Sequence, residues 1–352
     1  MIATRGNALV ESLPEAQIQA LIAVLELSRA GRQADTGNLD GVAYFRRSRQ
    51  DWTGALAELV EWELLTYREG VYCLTEAGRA QAEQLREARP PVYYWYNDYY
   101  AATRTSAAYA QFCERVFGRD FSQHGFSDMA QIEAMLERLD LGPGHRALDL
   151  GCGNGAMAEY IAQKTGAHVT GVDYIPEAIR QAQARAACRP DQLAFCVGDI
   201  RHLADAQSTL PLRPHSFDAL IAVDSLYFTD LHDTLRQMRA LLAAGGQMAL
   251  FYGYNRYTSD QALDPSALGP EHTPLGKALC ANGLCFEAPD FSRADYQHAL
   301  LKKAVIEELR PALEAEGNLF LFESRYNEAR GAIREYEAGA SVRYLYHVRN
   351  TA

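Results

Sequence analysis

The fold of this chain is decided by residues 146–155, which read RALDLGCGNG, an apolar run that leads into a glycine-rich turn. Gly151, Gly153 and Gly155 alternate in the turn, and Asp149 stands two residues before the first of them. Glycines allow a tight turn and let a ligand approach bare backbone, while the N-terminus of a following helix favours negative charge. The spacing differs from the G-x-G-x-x-G fingerprint of dinucleotide-binding enzymes. The stretch therefore predicts a strand, a ligand-binding turn and a helix.

Strands and helices alternate beyond this turn. The predicted strands are 146–151, 168–173, 193–199, 216–223 and 246–252, with helical periodicity at 156–164, 176–187 and 231–242. After residue 254, the sequence predicts a strand at 285–291, two long helices at 293–315 and 319–338, and a closing strand at 341–349. Such alternation predicts an α/β fold with a doubly wound, mostly parallel sheet of seven strands.

The residues before the turn predict a small N-terminal domain and a helical connection. Residues 1–90 contain two helical stretches, two short β-rich runs and a third helix capped by Thr75, with predicted ranges 14–29, 48–64, 65–67, 71–74 and 75–88. This order resembles a winged-helix domain, with a generic α+β cap as the alternative. Residues 91–140 are predicted to be a helical linker that covers the ligand site, helical from about Asp98 and again at 130–139. Residues 141–352 form the predicted main domain, with a helical insertion at about 292–339.

The amino-acid composition and net charge limit the classes of protein to which this chain can belong. The 352 residues are 48% apolar and carry 34 basic against 45 acidic side chains, a net charge of −11. These values give no reason to expect a disordered chain and argue against a general nucleic-acid binder, although the run Arg46-Arg47-Ser48-Arg49 is locally basic. No stretch approaches the roughly 18 apolar residues of a membrane span, and no signal peptide is visible, so we expect a cytoplasmic protein with no membrane partner. Seven cysteines without a C-x-x-C pair predict reduced thiols and no metal site.

Three further acids stand at the predicted ends of the strands that follow. Asp173 would accept hydrogen bonds from both ribose hydroxyls of a bound nucleoside. Asp199 would accept from an adenine amino group while Ile200 packs on the ring, and Asp224 ends the fourth strand. Open α/β sheets bind ligands at the carboxyl ends of their strands, so four acids in this order indicate one site.

These segments resemble the S-adenosylmethionine-dependent methyltransferases with the Rossmann-like fold. The resemblance is carried by ALDLGCGNG, VTGVDYIPEAI, FCVGDI, FDALIAVDSLYF and LLAAGGQMALF, over about residues 120–255. It implies S-adenosyl-L-methionine as the cofactor. In that reading the methionine part faces Asp149, Gly151, Gly153 and Asp224, the ribose is held by Asp173, and the adenine lies against Tyr174, Asp199 and Ile200.

A finer likeness lies upstream. YYWYNDYY at 93–100 and SQHGF at 122–126 look like the tyrosine-bearing helix and the H-x-G-aromatic entry of small-molecule methyltransferases, except that Ser122-Gln123 replaces an apolar residue. The likeness implies that both segments fold over the cofactor and border the acceptor. It assigns Tyr99 and Gln123 to the cofactor, and Tyr96 and Phe126 to the acceptor. Three residues outside these segments are also predicted to contact the acceptor: Phe228, Tyr254 and His298, the last on the helix predicted at 293–315.

Methyl transfer is an in-line displacement, which needs the acceptor close to the methyl carbon and water excluded. A base is needed only where the acceptor must lose a proton. His124 is the first candidate for a base or acceptor-orienting group, with a loop-capping imidazole as the alternative, and Tyr227 is the second. Arg256 and Arg325 are either partners of an acceptor carboxylate or surface charges.

The residues and the resemblance together predict a methyltransferase that modifies a nitrogen or oxygen of a small molecule. The N-terminal domain is predicted to serve for homodimerisation or as a lid. Two alternatives remain open: an enzyme of the same fold with non-methylating chemistry, and a winged-helix regulator that senses S-adenosylmethionine and binds DNA. All three retain cofactor binding.

Overall fold

The computed structural model describes residues 13–40, 52–89, 92–255 and 265–350. The arginine run at 46–49 and Arg256 lie outside these ranges. The chain divides into two compact units, Met1–Asp98 and Tyr99–Ala352, and the division falls within a helix. The predicted boundaries at residues 90 and 140 stay predictions.

The N-terminal unit combines helices with one hairpin. Its elements are α1 (Glu15–Arg29), α2 (Thr36–Asp40), α3 (Trp52–Glu61), β1 (Leu65–Arg68), β2 (Val71–Leu74) and α4 (Glu76–Ala88). Helix α1 carries nine buried residues and is the largest contributor to this unit's core. The Thr75 hydroxyl caps α4 by accepting from the Gly78 amide at 2.9 Å. The hairpin and the helix after it lie where the sequence predicts them.

The larger unit is built on a seven-stranded sheet. Its strands are β3 (Arg146–Leu150), β4 (His168–Asp173), β5 (Leu193–Val197), β6 (Phe217–Val223), β7 (Leu242–Asn255), β8 (Phe286–Glu287) and β9 (Ser341–Arg349). The strand order is β5-β4-β3-β6-β7-β9-β8, in which the first five strands are parallel and β9 runs antiparallel to both β7 and β8. The predicted α/β fold with a mostly parallel sheet is confirmed.

Helices cover both faces of this sheet. Their bounds are α5 (Val92–Thr103), α6 (Ala107–Phe117), α7 (Met129–Leu136), α8 (Ala156–Thr165), α9 (Pro176–Ala186), α10 (Leu231–Leu241), α11 (Pro274–Ala281), α12 (Ser292–Ala315) and α13 (Leu319–Glu337). Because side chains alternate along a strand, Leu148 and Ala147 of β3 enter two separate apolar cores. Among these helices and those of the N-terminal unit, none is long and apolar enough to cross a bilayer.

Three local predictions were wrong. Helix α5 begins at Val92 rather than near Asp98, since Tyr94 is buried and tertiary packing overrides the weak helix preference of a tyrosine run. The strand predicted at 285–291 shortens to Phe286–Glu287 because Pro289 cannot donate to a ladder, and only an isolated bridge from Asp290 to Tyr344 follows. The short helices α2 and α11 were not predicted.

Candidate active site

The glycine turn joins β3 to α8 at the carboxyl edge of the sheet. Gly151, Gly153 and Gly155 have φ angles of +77°, +55° and +76°, which side-chain-bearing residues rarely adopt. The amide of Gly151 donates to the Val172 carbonyl at 2.8 Å, which ties the turn to β4. A Cβ atom added at Gly153 would lie 2.6 Å from the Tyr100 hydroxyl. The turn therefore presents bare backbone beside the start of a helix, with a tyrosine against it.

Two buried carboxylates flank this turn, and their hydrogen bonding differs. Asp173 accepts from the amides of Gly153 at 2.8 Å and Ile175 at 2.9 Å, so it holds the turn. Asp149 is fully buried, and neither of its oxygens has a hydrogen-bond partner within the described ranges. Burial, followed by the negative charge of Asp173, raises the pKa of Asp149 to about 7. A buried carboxyl group without a donor fits a cationic or hydrogen-bonding ligand group.

The residues predicted for the adenine lie at the ends of the next two strands. Tyr174 follows β4, and Asp199 and Ile200 follow β5; all three are half-buried. Because β3, β4 and β5 are neighbouring parallel strands, these residues share one edge with the glycine turn. The Asp199 carboxylate is paired with the Arg201 guanidinium at 2.6 Å, a contact that the sequence did not indicate.

Buried side chains hold the backbone of residues 122–127, here called the 122–127 segment. The hydroxyls of Tyr99 and Tyr109 face the carbonyl oxygens of Ser122 at 3.0 Å and Gln123 at 3.2 Å, and lie 2.9 Å from each other. The Gln123 side chain accepts from the Phe121 amide at 2.9 Å. The structure therefore places Tyr99 against the 122–127 segment, while its neighbour Tyr100 contacts the glycine turn.

His124 lies in a cationic environment. Arg325 donates to the His124 carbonyl oxygen at 2.7 Å, and a second guanidinium nitrogen contacts Nε2 of the imidazole ring. Burial lowers the pKa of His124 well below its ordinary value, and the charges of Arg325 and Lys302 lower it further. The ring is therefore neutral near pH 7, with Nε2 accepting from Arg325. This contact favours an orienting role for His124.

Two buried cations in the helical insertion share one carboxylate. Glu328 lies 2.9 Å from Arg325 and 3.4 Å from Lys302. Arg325 and Lys302 are each about 1% exposed, so the prediction that Arg325 is a surface charge was wrong. The Lys302 ammonium also lies 4.6 Å from the centre of the Phe126 ring, within cation–π distance.

Asp224 is held by a buried arginine. Arg343 donates from both terminal nitrogens to the two carboxylate oxygens, at 2.7 and 2.9 Å, and Asp224 in turn accepts from the Phe126 amide at 2.8 Å. The Tyr227 hydroxyl donates to the same carboxylate at 3.4 Å and accepts from the Gly253 amide at 2.7 Å. The carboxylate predicted to lie beside methionine is thus occupied by protein donors.

The remaining predicted acceptor residues lie in different surroundings. Tyr227 and Phe228 follow β6 with 40% and 50% of their surface exposed, and Tyr254 is half-buried in β7. His298 is buried against the Phe117 ring, with centroids 5.0 Å apart, and burial lowers the pKa of His298 to about 3. Tyr96 belongs to the N-terminal unit, where its ring meets Trp95 edge-on at 5.1 Å.

Sequence reasoning missed three residues of this region: Tyr100, Lys302 and Arg343. A signal for Arg343 exists, because a basic residue occupies the interior of the apolar strand SVRYLYHVR. A charged side chain is rarely buried unless it is paired, so this position pointed to a buried acidic partner. The partner itself lies 119 residues away and could not be named from spacing.

Residues 141–283 match a protein family described as a methyltransferase domain. Methyltransferase GfsG of Streptomyces halstedii is 34% identical over 121 residues, which cover 34% of this chain and 41% of the relative. 27-O-demethylrifamycin SV methyltransferase of Amycolatopsis mediterranei is 32% identical over 177 residues, covering 47% and 59%. The chain thus spans less than two thirds of the length of either curated relative.

Solved structures agree on the fold. Phosphoethanolamine N-methyltransferase 2 of Haemonchus contortus, solved with phosphomonomethylethanolamine and S-adenosylhomocysteine, matches with a TM-score of 0.52 at 17% identity, covering 73% of this chain and 60% of the other. At that identity the likeness shows the fold alone. Together these matches show that residues 141–283 are similar to a methyltransferase domain and that the larger unit has the fold of a solved methyltransferase.

Proposed function

We propose that the protein is an S-adenosylmethionine-dependent methyltransferase that acts on a nitrogen or oxygen of a small molecule. The observation that carries the proposal is Asp149, a fully buried carboxyl group without a hydrogen-bond partner in the described part of the chain, beside the bare backbone of the glycine turn. The curated relatives support it, because both are named as methyltransferases and one is named for 27-O-demethylrifamycin SV. Neither alternative class, a non-methylating enzyme or a DNA-binding regulator, is favoured by these names.

The residues at the strand ends suit a nucleoside with a cationic tail. Asp149 would meet the methionine end, where a positive charge would favour its ionised form. Asp173 keeps acceptor capacity for the ribose hydroxyls after its two backbone hydrogen bonds, since a carboxylate offers about four lone-pair sites. Tyr174 and Ile200 would border the adenine. When bound, S-adenosylmethionine supplies an electrophilic methyl group on its sulfonium.

On the acceptor side, the residues fit positioning and exclusion of water more than proton abstraction. Nε2 of His124 already accepts from Arg325, so the imidazole would orient the acceptor through its remaining surface. The Tyr227 hydroxyl is engaged by the Gly253 amide and the Asp224 carboxylate. The exposed rings of Tyr227 and Phe228, with Phe126 and Tyr254, would wall the acceptor. Such an arrangement suits an acceptor that is already nucleophilic, such as a neutral amine.

The N-terminal unit and the cellular setting are part of the same proposal. Three helices followed by the hairpin β1–β2 and helix α4 agree with a winged-helix-like domain, which would serve for homodimerisation or as a lid. We place the enzyme in the cytoplasm, with a small-molecule acceptor and no nucleic-acid partner.

Calorimetry of the full chain tests the proposal. S-adenosylmethionine and S-adenosylhomocysteine should bind the wild type, and NAD should not, because the turn lacks the dinucleotide spacing. Methyl-labelled S-adenosylmethionine should then transfer label to at least one member of a panel of amines and hydroxylated small molecules. Absence of binding by either nucleoside, or preferential binding of NAD, would overturn the assignment.

A further inference from the structure

The 122–127 segment is restrained at most of its residues by side chains from other elements. Ser122 has a φ of +48°, a left-handed conformation that is uncommon for residues other than glycine. The carbonyl oxygens of Ser122, Gln123 and His124 each face a side-chain donor, and the Phe126 amide and the Ser127 hydroxyl bond to Asp224 and Arg343. Strained backbone that surrounding contacts over-determine is typical of functional segments.

Arg343 anchors the end of the 122–127 segment, directly through Ser127 and indirectly through Asp224. It is 1% exposed, and four donated hydrogen bonds leave it with a single donor unaccounted for. Two go to Asp224 at 2.7 and 2.9 Å, one to the Ser127 hydroxyl at 2.7 Å, and one to the Gln131 amide oxygen at 3.0 Å. A planar guanidinium can hold these partners at once, whereas the point charge of lysine cannot reproduce the two-point contact.

Asp224 links Arg343 to the backbone of the 122–127 segment. The backbone of Asp224 is also left-handed, with a φ of +56°. Its carboxylate, which is paired with Arg343, accepts a hydrogen bond from the Phe126 amide. A Cβ atom added at Gly125 would lie 2.9 Å from the same carboxylate, so the backbone passes directly over it. The end of β6, strand β9 and the 122–127 segment are thus joined through one buried ion pair.

We propose that Arg343 is a positioning residue for methyl transfer, which acts through Asp224 to fix the backbone at Gly125 and Phe126 beside the cofactor and acceptor. The inference rests on the proposed function and changes one part of it. Asp224 serves the site through Arg343 and the Phe126 amide, and does not bind the methionine part of the cofactor. A core ion pair that only stabilises the fold is the competing explanation.

Two conservative variants separate these explanations. Arg343→Lys keeps the charge but loses the two-point contact, and Asp224→Asn keeps an oxygen for the Phe126 amide but loses the ion pair. Asp224→Asn also leaves Arg343 with Asp295, at 3.8 Å, as a counter-ion, so this variant retains a paired arginine if Arg343→Lys fails to fold. Arg349→Lys is the matched control, because Arg349 is exposed on the same strand.

Three measurements are made on each full-length variant: thermal unfolding, hydrogen exchange of the amides in the 122–127 segment, and calorimetry with S-adenosylhomocysteine. We expect Arg343→Lys and Asp224→Asn to exchange faster in the segment and to bind the nucleoside roughly tenfold more weakly, since small misplacements at a site are costly. Arg349→Lys should match the wild type in all three.

A purely structural role gives a different result. Both variants would then unfold at lower temperature while segment exchange and nucleoside affinity equal those of Arg349→Lys, and the positioning role would be rejected. Failure of the wild type to bind S-adenosylhomocysteine would count against the proposed function instead. Even in that case the exchange comparison decides whether Arg343 fixes the segment.

Discussion

Arg325 donates a 2.7 Å hydrogen bond to the carbonyl oxygen of His124, across 201 residues of sequence. The same guanidinium contacts Nε2 of the His124 ring, so one side chain of helix α13 fixes both the backbone and the imidazole orientation. An imidazole beside a permanent cation is held in its neutral form. Burial is the main cause of the lowered pKa of His124, and the cations of the helical insertion lower it further.

This relationship predicts how stability depends on pH. The unfolded chain protonates His124 near its ordinary pKa of 6.5, whereas burial, Arg325 and Lys302 keep the folded pKa well below that value. The unfolded state binds more protons in that window, so the free energy of unfolding should fall as pH decreases below about 6.5. Replacing His124 with glutamine should flatten this dependence in urea-unfolding titrations.

The matched control for that titration is His272→Gln, since His272 is exposed. The control should reproduce the wild-type pH dependence. An equal slope in wild type and His124→Gln would mean that His124 titrates alike in both states and is not held neutral.

Asp149 predicts a pH dependence of ligand binding. Its pKa of about 7 means that the ligand-free protein is largely protonated there at pH 6 and ionised at pH 8. A ligand with a positive charge at this position should bind the ionised form and release a proton. Affinity for S-adenosylmethionine should therefore rise about tenfold between about pH 6 and pH 8.

Calorimetry at the two pH values, in buffers of different ionisation enthalpy, measures both the affinity and the proton release. The asparagine of the Asp149→Asn variant cannot ionise. This variant should therefore bind S-adenosylmethionine more weakly, and its affinity should not depend on pH. If the wild type binds S-adenosylmethionine with the same affinity at both pH values, Asp149 does not lie beside the ligand's positive charge.

The parts of this molecule that were predictable are those with local signals. The glycine turn and the strand-end acids are each marked by the strand directly before them in the sequence, and the structure brings them to one edge of the sheet. The surroundings of His124 and Asp224 depend on Arg325 and Arg343, which lie 201 and 119 residues away. No periodicity links such partners, so the sequence did not indicate that Arg325 is buried or that Arg343 holds Asp224.

Glu328 offers a test of the buried charges in the helical insertion. It is the carboxylate shared by Arg325 at 2.9 Å and Lys302 at 3.4 Å. Glu328→Gln would leave two buried cations without that counter-charge and should lower the free energy of unfolding by about 3 kcal/mol. Lys302→Met keeps the Arg325–Glu328 pair, replaces a buried ammonium with an apolar chain, and should change stability by no more than about 1 kcal/mol.

Urea unfolding of the two variants measures this asymmetry. Lys303→Met is the control, because Lys303 lies next in the helix and pairs with Glu307 at a more exposed position. Equal losses for Glu328→Gln and Lys302→Met would show that the cluster does not depend on the shared carboxylate.

Gly153 is constrained by its backbone and by Tyr100 at once, and the two constraints can be separated. Gly153→Ala should lose about 1–2 kcal/mol to the left-handed φ of +55°. It should lose a further ~1–3 kcal/mol to the contact with the Tyr100 hydroxyl 2.6 Å away. Gly339→Ala is the control, because Gly339 has a φ of +64° and no atom within 4 Å of an added Cβ, so only the backbone cost applies.

In the double variant Gly153→Ala/Tyr100→Phe the nearest ring carbon is 3.3 Å from the added Cβ. Urea unfolding should therefore show that most of the second loss is recovered. A double variant no more stable than Gly153→Ala would show that Tyr100 does not lie over the turn.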